Sequence, residues 1–358
     1  MKLRHALAIG TSLMIGLAAC SSGQDAAAPA APSVELAAAE AAYLDGLYQE
    51  AQAAGESEVV VYTPFPPALQ SVFDAFTDDY PGITVTPVAI AGPPMQARLR
   101  AEADSGSPQA DLVFMGQSDT VPLRDSDLFE PFAPELAAEL PSEYRGPDDL
   151  WQMPISHTTV IPYNNRTVDE ADLPQTWADL TDPRWSGLLG SGDLAAGTSG
   201  TVSALAILYI KGVVDDAWLE RAAQLQPTIY PSSGALIQGV ATGQSAIALP
   251  QGNPSSYTAV LQGAPIGRAL LAEGMPSFGL GLAVTRGAPN PTAARLLDAY
   301  FFSAKAQAVA ATTGLTPTMP GAPVPPGLED AELLVLSAEE TQQQFIPAIE
   351  HVASTISG

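Results

Sequence analysis

The chain contains 358 residues, with 14 Lys and Arg against 39 Asp and Glu, which gives a formal net charge of −25 at pH 7. A field of this sign repels nucleic acid and anionic lipid, so neither is expected as a partner. The single cysteine excludes an internal disulfide and a metal site built from several thiolates.

An export signal is predicted at the N-terminus. Lys2 and Arg4 precede the short apolar run "ALAIGTSLMIGLAA", and Cys20 follows directly. This pattern is typical of a secretory signal, and the run is too short to span a bilayer. The tetrapeptide "LAAC" resembles the bacterial lipobox, in which the cysteine is lipidated. We therefore predict a signal peptide over residues 1–19 and an exported lipoprotein, in the periplasm or on the cell surface, anchored to the membrane through Cys20. A plain signal peptide with an incidental cysteine is the alternative.

A tether and a large folded body are predicted to follow. The run "SSGQDAAAPAAPSVELAAAEAA" is rich in Ala, Ser and Pro, so residues 20–55 are predicted to form a flexible tether, with helical structure from Val34 onward as an option. The body from about Glu56 to Gly358 exceeds the size that one hydrophobic core usually supports. Two lobes are therefore expected.

The body begins with alternating strands and helices. The β-branched run in "SEVVVYTPF" predicts a buried strand, and the apolar residues of "PALQSVFDAFTDDYPG" recur at helical spacing. The runs "ITVTPVAI" and "ADLVFMG" predict two further strands on either side of the helix "PMQARLRAEADSG", and "QSDT" predicts a turn. This order predicts a parallel α/β sheet, and such sheets bind ligands at the carboxyl ends of their strands.

The stretch "GDLAAGTSGT", residues 192–201, stands directly before the apolar segment "VSALAILYI". No Lys follows it, so it is not a nucleotide-binding P-loop, and its second Gly stands one position too early for the G-x-S-x-G motif of serine hydrolases. His157 is interpreted as a packed strand residue and His351 as a surface residue. No enzyme is therefore predicted; an exported α/β hydrolase is the alternative from another class. The stretch is either a plain helix cap or a cradle for an anion, and the residues alone leave both open.

A series of segments resembles a known family. "VVVYT", "FTDDYPGITV", "RLRAEADSGSPQADLVF", "LFEPF", "PYNNRTV", "LPQTWADLTDPRWSGLLG", "GVATGQSAIAL" and "GAPNPTAARLLDAYFFSAKAQ" follow in this order. Together they are similar to the extracellular solute-binding proteins of ABC importers, in the branch of ferric-iron and organophosphonate binding proteins. The resemblance covers about Val59 to Pro317, and its most specific part runs from Pro174 to Gly187.

The resemblance implies an α/β fold of two lobes around a cleft, the type II clamshell of periplasmic binding proteins, with two crossover strands as the hinge. Lobe 1 is expected over 56–157 with 283–330, and lobe 2 over 158–282. Residues 331–358 are expected to form a helical segment that packs on the body. The implied partners are a small solute and an ABC permease and ATPase complex; the protein is expected to be a monomer without a cofactor.

The resemblance also places ligand-binding residues at the cleft, and it favours the cradle interpretation of "GTSGT". The expected set is Tyr62, Thr63, Phe65, Gln117, Ser118, Thr198, Ser199, Gly200, Thr201, Asn253 and Tyr257. No Arg or Lys stands in these segments to pair with an anion, although Arg268 or Arg286 could reach one.

The sequence departs from the iron branch at three places. That branch has a His after the first strand, a carboxylate after the second and adjacent tyrosines in the third place. Here Phe65-Pro66 and "AGPP" stand at the first two, and one tyrosine, Tyr257, stands near the third. Fe³⁺ requires several anionic oxygen or imidazole ligands. The sequence therefore favours a polar or anionic solute such as an organophosphonate or phosphate ester and no bound metal, with ferric iron or an iron chelate as the alternative.

Overall fold

The computed structural model describes residues 35–64, 66–194 and 200–357. The predicted signal peptide, Cys20 and the first part of the predicted tether lie outside the described residues. So do three members of the predicted ligand-binding set, Phe65, Thr198 and Ser199.

The strands are β1 (Glu58–Thr63), β2 (Thr84–Ala89), β3 (Leu112–Gly116), β4 (Phe129–Glu130), β5 (Gln152–Asn164), β6 (Leu189–Gly192), β7 (Thr228–Tyr230), β8 (Ile247–Ala248), β9 (Gln251–Gly252), β10 (Ile266–Ala269), β11 (Met275–Thr285), β12 (Thr316–Pro317) and β13 (Leu333–Leu334).

The α-helices are α1 (Ala38–Ala54), α2 (Pro66–Asp79), α3 (Gly92–Asp104), α4 (Gln117–Leu123), α5 (Gly200–Ile210), α6 (Asp216–Gln224), α7 (Ser233–Thr242), α8 (Asn253–Leu261), α9 (Pro291–Tyr300), α10 (Ala304–Thr312), α11 (Ala338–Glu340) and α12 (Ile346–Ser357). A π-helical turn, Thr341–Phe345, joins α11 to α12. Short 3₁₀ turns cover Glu135–Ala137, Ser142–Tyr144, Pro147–Asp149, Glu170–Asp172, Asp179–Thr181 and Pro183–Trp185. Within the described residues, no helix is long and apolar enough to cross a bilayer.

The strands follow one another in the order β2-β1-β3-β11-β5-β8-β6-β7. β1 lies parallel to β2 and β3, and β6 lies parallel to β7 and β8, as expected for strands connected by helices. Helix α2 shows why the helices pack on these strands, since its Leu69, Val72, Phe73 and Phe76 all lie on one buried face. We call the part with β1–β4, α1–α4, α9 and α10 lobe 1, and the part with β6–β10 and α5–α8 lobe 2.

The strands β5 and β11 belong to both lobes. They pair with each other in antiparallel fashion, with Thr158 opposite Ser277, and every residue of both strands is buried. In lobe 1, β11 pairs with β3; in lobe 2, the far end of β5 pairs with β8 and β10. These are the two crossover strands that the sequence predicts.

The C-terminal part of the predicted tether is helical, in agreement with the option of helical structure from Val34 onward. Residues 38–54 form helix α1, which ends at Gly55 in a left-handed conformation. Leu44 and Ala51 are fully buried in the core of lobe 1, and the Tyr48 ring lies 5.2 Å from the Tyr80 ring. This part of the segment is therefore not a flexible tether, because the apolar residues among its alanines give it a surface that packs on lobe 1.

The turn predicted at "QSDT" is also wrong, because these residues begin helix α4. Gly116 precedes the helix in an extended conformation, and the Thr120 hydroxyl donates to the Gln117 carbonyl oxygen at 2.7 Å. This local hydrogen bond supports a helical turn directly after β3.

Asp298 of α9 is a buried acid inside lobe 1. Its side chain is fully buried, and none of the described residues gives either carboxyl oxygen a hydrogen bond. Burial raises the pKa of Asp298 well above its ordinary range, since the charged form loses its hydration. The fold therefore favours the neutral acid at this position.

We predict that Asp298→Asn stabilises the protein relative to the wild type by an amount that grows as the pH rises above about 4. In that range the unfolded chain has released the Asp298 proton while the folded protein retains it. As the pH rises, the free energy of unfolding of the wild type therefore falls by up to about 1.4 kcal/mol per pH unit through Asp298. The Asp298→Asn variant lacks this fall, because asparagine does not titrate. Urea unfolding between about pH 4.5 and pH 7.5 measures the difference. Asp125→Asn, at a fully solvated side chain, is the control; parallel curves for Asp298→Asn and wild type would contradict the prediction.

Candidate functional site

A cavity of about 290 Å³ lies between the lobes. We call it the interlobe cavity. Lobe 1 contributes Pro64, Ala91, Gly116, Gln117, Ser118 and Asp119; the crossover strands contribute His157 and Phe278; lobe 2 contributes Gly192, Asp193, Gly200, Ser203, Pro231, Ser232, Ser233 and Gln251; and the C-terminal segment contributes Phe345. The lining from the two lobes thus lies mainly at the carboxyl ends of parallel strands and at the starts of the helices that follow them.

On the lobe 1 side, the carboxylate of Asp119 holds two chain segments together. It accepts a hydrogen bond from the Gln96 side-chain amide at 2.9 Å, and it accepts the backbone N–H groups of Gly92 and Gly116. Burial raises the pKa of Asp119, and these hydrogen bonds act against the increase. Asp119 therefore fixes the starts of α3 and α4 against each other at the cavity wall.

On the lobe 2 side, Gln251 links the starts of two helices. Its Nε2 donates to the hydroxyl of Ser233, at the start of α7, and its Oε1 accepts from the Thr201 hydroxyl of α5 at 3.4 Å. The Ser232 hydroxyl caps α7 by accepting from the Ala235 N–H at 3.2 Å. Because Gln251 holds them together, α5 and α7 direct their N-terminal ends, where the helix dipole is positive, at the same cavity.

The crossover strands supply an aromatic floor. The His157 ring lies against Phe278, with centroids 5.3 Å apart. Burial lowers the pKa of His157 to about 4, so the imidazole is neutral at pH 7. A Cβ placed on Gly252 would lie 2.3 Å from the ring, so a glycine is needed there to leave room for His157.

The structure brings three of the predicted ligand-binding residues to the interlobe cavity, namely Gln117, Ser118 and Gly200. Thr63 and Thr201 are fully buried next to it, and Thr201 acts through Gln251. In the parts of the chain that the structure describes, no group of three or more His, Cys, Asp or Glu side chains has the arrangement of a metal site.

The structure places Tyr62 in the core of lobe 1 instead of at the cavity. Its side chain is fully buried, its hydroxyl donates to Glu102 at 2.6 Å, and the Arg98 guanidinium lies 4.5 Å above its ring. The reason is the alternation of side chains along β1, which turns Tyr62 towards α3.

Asn253 and Tyr257 also lie away from the cavity lining. The Asn253 amide donates to the Gly314 carbonyl oxygen at 2.9 Å and accepts from Arg268 at 2.7 Å. The same guanidinium lies 4.9 Å above the Tyr257 ring. Arg268 is thus engaged there, and Arg286 bonds to carbonyl oxygens at the far end of lobe 1. Neither arginine lines the interlobe cavity, so the option that one of them reaches a bound anion there has no support in the structure.

Several lining residues were missed by the sequence analysis. Ser232 and Ser233 carried a usable signal, since "PSSG" before the apolar run "ALIQGV" repeats the pattern of "GTSGT" before its helix. His157 and Phe278 were recognised only as members of strands. Phe345 gave no signal, because its place at the cavity depends on how the C-terminal segment folds back.

We predict that His157→Gln reduces the loss of stability on acidification. The unfolded chain protonates His157 below about pH 6.5, whereas the folded protein does so only near its pKa of about 4. The wild type therefore loses up to about 3 kcal/mol of its free energy of unfolding through His157 as the pH falls from about 6.5 to about 4. Denaturant unfolding across this range is the measurement.

The matched control for this prediction is His351→Gln, which removes a surface histidine bound to Asp216. In this variant His157 is still present, so the free energy of unfolding should fall on acidification through His157 as it does in the wild type. Equal acid sensitivity of the His157 variant and the wild type would show that His157 is not buried in its neutral form.

Comparisons with known sequences identify relatives. Residues 71–334 match the family described as bacterial extracellular solute-binding protein. The chain is 35% identical over 106 residues to the probable ABC transporter periplasmic-binding protein y4fP of Sinorhizobium fredii, over 28% of each chain. It is 29% identical over 197 residues to the Fe(3+)-binding periplasmic protein of Serratia marcescens, which is 54% of this chain and 56% of the relative. The chain thus matches about a quarter and about half of the length of these two curated relatives.

A solved structure shows the same fold. The periplasmic binding protein AfuA from Actinobacillus pleuropneumoniae, with exogenous fructose-6-phosphate bound, superposes with a TM-score of 0.67 at 18% identity, over 84% of this chain and 98% of that chain. The likeness confirms the predicted fold class, an α/β clamshell of the periplasmic binding protein type. Since the family match covers well over half of its length, the chain belongs to the bacterial extracellular solute-binding protein family.

Proposed function

We propose that the protein is the solute-binding receptor of an ABC importer and captures a small anionic solute of the organophosphonate or phosphate-ester class between its lobes. The observation that carries the proposal is that α5 and α7 both begin at the interlobe cavity, at Gly200 and Ser233. The first N–H groups of a helix have no partner within the helix, and they bind phosphate-like anions well.

Neutral donors around the same space support an anion with several oxygen atoms. The hydroxyl groups of Ser118, Ser203 and Ser233 line the cavity from both lobes. Each hydroxyl can donate one hydrogen bond to a ligand oxygen. The carboxylate of Asp119 is occupied by Gln96 and two backbone N–H groups, so lobe 1 can present donors in spite of this acid.

The relatives support the same class of protein with different ligands. AfuA was solved with fructose-6-phosphate, whereas the Serratia marcescens relative is named for Fe(3+). The helix starts favour a phosphate-like group in this chain, and ferric iron or an iron chelate is the alternative that the ligand screen tests. In either case the two lobes would close over the solute about β5 and β11, and a permease and ATPase complex would receive it.

We predict that a phosphate ester or phosphonate stabilises the protein in a thermal-shift screen. The panel contains glycerol 3-phosphate, methyl phosphate, methylphosphonate, ferric chloride and ferric citrate. A solute at 100 times its dissociation constant adds about 2.7 kcal/mol to the free energy of unfolding. If only the ferric compounds stabilise the protein, the iron alternative replaces the proposed ligand class. If no compound stabilises it, the proposal of a receptor for phosphate esters, phosphonates or iron is contradicted.

Gly200→Val tests the position of the site. The nearest described atom to a Cβ on Gly200 is Phe278 Cζ at 4.0 Å, so a Cβ meets no close contact from the described residues, and valine fills space at the start of α5. We expect at least a tenfold weaker affinity for the solute found in the screen, with stability changed by less than about 1 kcal/mol. Gly46→Val, on the exposed face of α1, is the control and should keep the wild-type affinity. Unchanged affinity in Gly200→Val would show that the solute binds elsewhere.

We further propose that the protein is exported and held at the membrane by a lipid on Cys20. The prediction is that Cys20→Ser prevents incorporation of labelled fatty acid and releases the protein from the membrane fraction, while its circular dichroism spectrum stays that of the wild type. The fold should be retained because Cys20 precedes α1, the first described helix, by 17 residues. Persistent membrane attachment of this variant would contradict the anchor.

A further inference from the structure

The C-terminal segment reaches across both lobes. We call residues 337–345 the strap. At its start, the Ser337 hydroxyl accepts from the Glu340 N–H and the Glu340 carboxylate accepts from the Ser337 N–H, which forms a capping box. Glu340 also binds Lys211 of lobe 2 at 2.8 Å. After the strap, α12 buries Ile349, Val352 and Ile356 in the main hydrophobic core.

The strap is tied to lobe 1 by a buried hydrogen bond. Gln117 Nε2 donates to the Thr341 hydroxyl oxygen at 2.7 Å, and both side chains are buried. The Thr341 hydroxyl donates its own hydrogen to the Ser337 carbonyl oxygen at 2.9 Å. Thr341 can therefore only accept from Gln117, which fixes the orientation of the amide. None of the described residues donates to the other atom of that amide, Gln117 Oε1.

Gln117 and the strap separate the interlobe cavity from a second cavity. The second cavity has a volume of about 500 Å³, and its lining combines the apolar Trp151 and Met153 with polar and charged residues, among them Arg124, Arg145 and Thr341. Gln117 lines both cavities, while Phe345, at the end of the strap, lines the interlobe cavity. The π-helical turn Thr341–Phe345 thus has Thr341, Gln342 and Gln343 at the second cavity and Phe345 at the interlobe cavity, and single π turns within helices often occur at functional sites.

We infer that Gln117, Thr341 and Phe345 form a partition that sets the maximum length of the bound solute. The inference rests on the proposed function and adds a specificity to it: the receptor selects short phosphate esters or phosphonates and excludes those with a long chain. Gln117 and Phe345 contact the solute from the cavity wall. Thr341 is a positioning residue, because it acts on the solute only by holding the Gln117 amide in place.

The partition explains how a small site exists beside a larger cavity. At about 290 Å³, the interlobe cavity is at the small end of ligand sites. If Gln117 moved aside, a ligand chain could enter the second cavity and reach the small exposed surfaces of Trp151 and Met153. A methylene group that became fully buried there would strengthen binding by up to about fourfold. The single hydrogen bond to Thr341 is thus the interaction on which the selection of short solutes depends.

The test uses alkyl phosphates of increasing length. Isothermal titration of the full chain gives the dissociation constants of methyl, propyl and hexyl phosphate. In the wild type, hexyl phosphate should bind at least tenfold more weakly than methyl phosphate. In Gln117→Ala, the ratio of the two affinities should shift by at least tenfold in favour of hexyl phosphate. Thr341→Val should shift it in the same direction, and Thr341→Ser, which keeps the hydroxyl, should retain the wild-type ratio.

The ratio of two affinities within one variant separates the partition from a merely structural role. A variant that only destabilises the protein weakens the affinity for both probes equally and leaves their ratio unchanged. An unchanged ratio in Gln117→Ala and Thr341→Val would therefore overturn the inference. Equal binding of all three alkyl phosphates to the wild type would also overturn it, while the proposed function would stand. If the wild type binds none of them, both the inference and the proposed phosphate-ester class fail. If Gln117→Ala does not fold, Thr341→Val decides the question.

Discussion

The pairing of β5 with β11 is the interaction on which the rest of the structure depends. These strands are the continuous connection between the lobes, and their complete burial leaves little freedom for either to shift along the other. The same pair carries His157 and Phe278 into the floor of the interlobe cavity. The geometry of the site is therefore set by the element that joins the lobes, so any change in the angle between the lobes acts directly on the cavity.

The elements of lobe 1 from β1 to β3 could be predicted because their signals are local. Apolar residues at helical spacing in α2 and the β-branched run of β1 each form an element whose burial follows from its own sequence. The rule that parallel sheets bind ligands at the carboxyl ends of their strands then placed Gln117 and Ser118 at the cavity. Both steps use neighbours in sequence, and this is why they succeeded without any knowledge of long-range packing.

The remaining parts of the site depend on contacts between distant residues. Tyr62 stands at the correct end of β1, yet its hydroxyl is bound by Glu102, 40 positions away. Gln117 meets Thr341 across 224 positions, and Phe345 reaches the cavity only because the strap crosses both lobes. No local pattern contains such information. A tyrosine or an amide at a strand end indicates where a site is, whereas distant packing decides which of its atoms faces the ligand.

The negative charge of the chain is compatible with the proposed anionic solute. The field of the surface charges and the groups that line the cavity act over different distances. The charge of −25 belongs to the whole chain, and salt screens its field beyond about 8–10 Å in solution. Inside the cavity the potential is set by the nearest groups, which are the starts of α5 and α7, the serine hydroxyls and the carboxyl groups of Asp119 and Asp193. Hydrogen bonds from fixed N–H groups are directional, so they bind a phosphate-like group by its shape as well as its charge. A site built this way can select an anion in a protein whose surface repels anions, and its strength depends on how firmly the helix starts are held. Gln251 bonds to residues at both helix starts and also lines the cavity, so it supports the site from within the wall.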